Sequence, residues 1–197
     1  MRGFNFSLDT SDDHNGMDQV LSFKYQLDKP GVAKGVFGLN DEQVHFEVTN
    51  VSNPLFDLLK GLAGMIFEPS HLWDEENMCW IDWYCDQCGI KWVLSTEDGH
   101  SLSVKIIRYD DFFDESNAVV AIDSQVNFVE FYSLIIRELD GFIKKTGLLN
   151  YEQKWQKDEF PLTYFLLLKK YLIERGQWIP TNEKLGTLSD EIDFLLA

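Results

Sequence analysis

The chain has 197 residues, 45% of them apolar. That suffices for one large domain or two small ones, with a core that needs no metal or disulfide. Its 17 basic and 33 acidic side chains leave a net charge of −16, which repels nucleic-acid phosphates and anionic lipid, favours solubility and draws in basic partners.

No apolar stretch approaches the ~18 residues of a membrane span. The first residues, Met1 to Phe6, lack the apolar run of a signal peptide. Cys79, Cys85 and Cys88 are odd in number and crowded, unlike the disulfide framework of a secreted domain. The expected location is the cytoplasm, with the three thiols free.

Phe4, Phe6 and Leu8 suggest a short first strand. From Val20 to Leu27 apolar and polar residues alternate, as in a half-buried strand. Lys29-Pro30-Gly31 marks a turn, Val32 to Leu39 a returning strand, Asn40-Asp41 another turn, and Val44, Phe46 and Val48 a third strand. Asn53-Pro54 is expected to open a helix, with Asn53 as cap and Pro54 in the first turn. Leu55, Leu58, Leu59, Leu62 and Ile66 follow at helical spacing, and Glu68-Pro69-Ser70 is the expected stop.

A second meander follows: Met78 to Cys85, Ile90 to Thr96 and Leu102 to Tyr109, joined by turns at Asp86–Gly89 and Glu97–His100. Residues 118–123 can add a strand. The rest reads as helical. Asn127 with Glu130 resembles a capping box, and Val129 to Ile143 carries a broad apolar face closed by Lys144, Lys145 and Gly147. Further helices are expected over 151–157 and from Pro161 to Gly176, and the tail after Pro180 reads as mostly polar with a short amphipathic end, Ile192 to Leu196.

Strands first and helices later predict an α+β fold. It comprises an antiparallel sheet of two meanders, one helix inserted between them, and helices packed from the C-terminal third. The expected organisation is a single domain over 1–197. The alternative is a split near residue 124, into a β-rich 1–124 and a helical 125–197.

The acidic surplus is uneven. Residues 1–67 carry 5 basic and 9 acidic side chains, residues 68–140 carry 4 and 16, and residues 141–197 carry 8 and 8. Two runs stand out, Asp74-Glu75-Glu76 before a strand and Asp110-Asp111 with Asp114-Glu115 after one. They are expected to share a rim of the sheet. Unpaired carboxylates there repel one another, and a cationic partner relieves that cost. Trp73, Trp80, Trp83, Tyr84 and Trp92 crowd the same region. By strand parity Trp80, Asp82 and Tyr84 share one face, and Ile81, Trp83 and Cys85 the other. One face is core, and the other is covered by helices or meets a partner.

Signals for chemistry are weaker. Cys85-Asp86-Gln87-Cys88 has the spacing of zinc knuckles and redox dithiols, but it sits in a hairpin turn rather than at a helix start. Cys79 lies ~20 Å along the strand from Cys85, too far to share a metal. His71 with Asp74, Glu75 and Glu76 could bind a divalent ion or do acid–base work, but matches no metal motif. Neither a nucleophile elbow nor a phosphate loop is present. No metal site, cofactor or catalytic residue is therefore assigned.

The leading reading is a non-enzymatic acidic module that binds a basic protein, in the manner of an inhibitor or immunity-type protein. Asp74, Glu75, Glu76, Asp110, Asp111 and Asp114 supply its charge, and Trp80 and Trp83 its anchors. The alternatives are a small metal-dependent hydrolase built on His71 and a homodimer joined through the spare aromatic face.

Overall fold

A computed structural model describes residues 19–67, 77–85, 88–111, 114–180 and 186–196. The strand expected at Phe4–Leu8 and the helix stop at Glu68–Ser70 lie outside them.

Strands β1 (Leu21–Lys29), β2 (Val32–Leu39) and β3 (Glu42–Thr49) form an antiparallel sheet in chain order. Alternation sets its faces. Phe23, Tyr25, Ala33, Phe37, Val44, Phe46 and Val48 are buried, while Lys24, Gln26, His45 and Glu47 are exposed. The two turns fall where expected, with Gly31 at φ +70 and Asn40 at φ 54, residue types that tolerate the left-handed region. Gly35 sits in β2 between Tyr25 and Phe46. A methyl group there would overlap the Phe46 ring and the Lys24 carbonyl, so the ring takes the place of a side chain.

Helix α1 (Pro54–Phe67) buries Leu55, Leu58, Leu59 and Leu62. The expected Asn53 cap is corrected. The Asn53 side chain donates to Asp158 Oδ2 at 2.9 Å, and its backbone carbonyl accepts from the Asp57 N–H. The Asn53 Oδ1, the acceptor that would cap the helix, is buried and makes no hydrogen bond.

The second sheet is also antiparallel and in chain order: β4 (Asn77–Cys85), β5 (Cys88–Thr96), β6 (Ser101–Tyr109) and β7 (Val119–Asn127). Asp98 organises the β5–β6 turn, its Oδ1 accepting the N–H groups of His100 and Ser101 at 2.8 Å. Strand β7 runs past the expected residue 123, because Ser124 to Asn127 keep pairing with β6. Helix α2 (Phe128–Thr146) starts directly from it, with Asn127 accepting the Glu130 N–H at 3.0 Å, as the capping signal predicts.

Helices α3 (Leu148–Trp155), α4 (Leu162–Glu174) and α5 (Thr187–Leu196) complete the described chain. Gly147 closes α2 at φ 81. Helix α3 begins three residues before the expected Tyr151, because Glu191 of α5 accepts the Leu148 and Leu149 N–H groups. That cap comes from a residue remote in sequence.

The inner faces of the two sheets meet through aromatic rings, Phe37 on Trp92 at 5.2 Å and Phe46 on Trp83 at 4.9 Å. Helix α2 joins them through Phe131, 5.9 Å from Phe37, and the Tyr132 hydroxyl donates to the Leu62 carbonyl of α1 at 2.9 Å. The buried apolar side chains form one cluster drawn from both sheets and from α1 to α4. The fold is α+β, with two antiparallel meanders and a helix between them.

Among the described residues one charged side chain is buried. Asp140 of α2 is 1% exposed, with Lys144 and Lys169 ammonium groups each 2.6 Å from its oxygens. Lys169 also lies over the Trp178 ring at 4.6 Å. Burial pushes the Asp140 carboxyl up, but hydrogen bonds from the two lysines outweigh it and hold the group below its ordinary range.

Candidate functional site

Strand β4 shows which aromatic face is core. Ile81 and Trp83 point inward, where Trp83 is fully buried, packs 5.2 Å from Trp92 and donates its Nε1–H to the Pro54 carbonyl at 3.0 Å. The expectation that Trp83 anchors a partner is therefore corrected: its ring fills the space between the sheets and its polar edge is already bonded. Trp80, one residue from the inward Ile81, points outward and is 67% exposed.

Pairing registers give the outward face row by row. Met78 lies beside Ser95, Ser103 and Gln125. Trp80 lies beside Val93, Lys105 and Asp123. Asp82 lies beside Lys91, Ile107 and Val120. Tyr84 lies beside Gly89 and Tyr109. Lys105 pairs with Asp123 at 2.9 Å, and Lys91 stands 3.9 Å from Asp82. Val120 is half exposed. Among the described residues no helix covers this face: α1 packs on the opposite one, where Gly61 meets Cys79 and Ile81.

A groove of about 1270 Å³ follows the outer edge of β4, between Trp80, Asp82 and Tyr84 on one side and Asp57, Lys60 and Tyr164 on the other. Burial raises the Asp57 carboxyl above the ordinary aspartate range, and the Asp82 carboxylate adds to the effect. Asp82 Oδ1 is shielded from solvent and makes no hydrogen bond. Burial, then Asp82, raises the Tyr84 hydroxyl. Burial pushes the Cys79 thiol up to about 12, so at neutral pH it is a protonated filler and not a nucleophile. The groove thus gathers carboxylates that favour a cation, beside an exposed indole.

Asp110, Asp111 and Asp114 are exposed. Asp114 is largely engaged in its own turn (Glu115–Asn117, one 3₁₀ turn), accepting from the Ser116 N–H and hydroxyl and from the Asn117 amide. The Ser116 hydroxyl leads in lowering its pKa. Asp74, Glu75, Glu76 and His71 lie outside the described residues. The expected common rim therefore falls partly outside the described residues, and only the positions next to the two runs are placed. Asn77, which follows the first acidic run, pairs with Thr96 at one end of the sheet. Tyr109, which precedes the second run, pairs with Gly89 at the other.

The expectation of free thiols at Cys85 and Cys88 is corrected too. The two residues face each other across the end of the β4–β5 hairpin, with Cα atoms 5.0 Å apart, and form a disulfide. A two-residue loop places its flanking positions opposite one another, within disulfide range. Among the described residues no three His, Cys, Asp or Glu side chains gather as a metal site would require, and no helix is long and apolar enough to cross a membrane.

No protein-family model matches the chain, and no match was found among curated proteins or solved structures.

Proposed function

We propose that the protein is a non-enzymatic binding module that receives a basic protein on the outward face of its four-stranded sheet, in the manner of an inhibitor or immunity-type protein. The observation that supports this reading is Trp80. A large ring two-thirds exposed on a sheet face that no described helix covers is an uncommon use of apolar area, unless a partner buries it. Its surroundings suit a cation. Residues 77–127 carry 9 acidic side chains against 3 basic ones, Asp57 and Asp82 flank the groove at the β4 edge, and Asp110 and Asp111 stand exposed at one end of the sheet. Long-range attraction by the net charge of −16 speeds encounter, and Trp80 supplies the short-range contact.

The test is affinity capture on the immobilised protein at low ionic strength, followed by a salt gradient. The expected result is one dominant basic protein, released as salt rises. Capture of nothing, or of a partner whose retention ignores salt, refutes the reading.

A further inference from the structure

A second groove, of about 780 Å³, lies between the outer edge of β1 and helices α2 and α3. Its electrostatics run against those of the chain. Arg137, Lys145 and Lys154 line it, together with Lys24 and Glu138. Lys24 is bound to Glu138 at 2.8 Å, and Glu138 also accepts the Tyr25 N–H, so the one carboxylate among the described lining residues is already engaged.

The other three cations are not. Among the described residues, Lys34, Lys91, Lys105, Lys144, Lys169 and Lys170 pair with carboxylates. Lys60 and Arg175 rest on aromatic rings, and Lys157 donates to a carbonyl. The described cations with no such partner are Lys29, Arg108, Arg137, Lys145 and Lys154, and three of these five line this groove. In a chain with 33 acidic residues, unpaired cations converging on one concavity call for a cause. The helix dipole accounts for Lys145 and Lys154, in the last turns of α2 and α3, but not for Arg137, two turns before the end of α2.

Arg137 and Lys145 stand eight residues apart, ~12 Å along the helix, with Gly141 midway on the same face. Gly141 also lines the groove. Two long cationic side chains thus flank a residue that has none on the same face of α2. We propose that this saddle binds the phosphate group of a small soluble molecule, with the Arg137 guanidinium and Lys145 ammonium on its oxygens and Lys154 completing the rim. A guanidinium fork with two or more ammonium groups suits a dianion better than a single carboxylate. The net charge of −16 disfavours nucleic acid and anionic membranes over most of the surface, whereas a small ligand meets only the local field. The site is separate from the sheet face proposed above and does not depend on it.

The test is a titration of the full-length, isotope-labelled protein with inorganic phosphate and inorganic pyrophosphate at low ionic strength, read by two-dimensional amide NMR, with sodium chloride as control. The expected result is saturable shifts confined to residues 21–27 and 137–154, tighter for pyrophosphate. Affinity should fall ~10-fold or more in the pair Arg137→Ala, Lys145→Ala, and by a smaller factor in Lys145→Met alone. These side chains are exposed, so unchanged thermal melting certifies the variants as folded. Shifts that fail to saturate, that follow chloride equally or that centre elsewhere overturn the proposal, as does undiminished binding by the variants.

Discussion

Replacing Asp140 by Asn keeps the shape of the side chain but removes the charge that two lysines share. The carboxylate is 1% exposed, whereas the Lys144 and Lys169 side chains are 16% and 22% exposed. Stripping one partner from a buried ion pair costs ~3–5 kcal/mol, since the remaining charge loses its compensation. Here both ammonium groups retain some access to water and Asn still offers one acceptor, which puts the expected loss at the low end, about 3 kcal/mol. For a chain of this length that corresponds to a fall in Tm of ~6–12 °C. The pH dependence has a fixed sign. The folded carboxyl titrates below its ordinary range, so its stabilisation is complete above the unfolded value of ~3.9 and is lost as pH falls through the folded value. Denaturant melts of both proteins from neutral pH down to pH ~3 should show a gap that narrows below pH ~4. A gap under ~0.5 kcal/mol at neutral pH, or one that ignores pH, refutes the reasoning.

Trp83→Ala should cost ~3–5 kcal/mol by emptying the space between the sheets, whereas Trp80→Ala should stay within ~0.5 kcal/mol; comparable losses in chemical denaturation would mean that the faces of β4 are assigned wrongly. Gly35→Ala should destabilise by more than the ~0.5–1 kcal/mol that the same change gains in an open site, because the methyl meets the Phe46 ring; a neutral or raised Tm would count against that packing. Alkylation of the unfolded, air-oxidised protein should label one cysteine before reduction and three after it, read by intact mass; three labels without reduction would contradict the Cys85–Cys88 pairing.

The strands and helices of the described chain were legible because their signals are local. Period-two alternation marks β1 to β6, turn residues fall at Gly31, Asn40 and Asp98, and Asn127 caps α2. What the sequence concealed depends on partners brought from afar. The Asn53 amide donates to Asp158, α3 is extended by Glu191, and Asp140 reads as an ordinary helix-surface acid until α4 brings Lys169 to it. Parity separated Trp80 from Trp83 but could not say which was inside; the packing of Phe46 decides that. The Cys85–Cys88 bond was within reach of the sequence, since two cysteines flanking a two-residue hairpin loop face each other by register. The unpaired cations at α2 had no local signature, because Arg137 and Lys154 belong to different helices.

The most direct test of the binding surface compares Trp80→Ala with Ile179→Ala, an apolar control of similar exposure, for affinity toward the basic protein captured at low salt. The account predicts a loss of ~10-fold or more for Trp80→Ala and none for the control. Equal affinities for the two variants would contradict it.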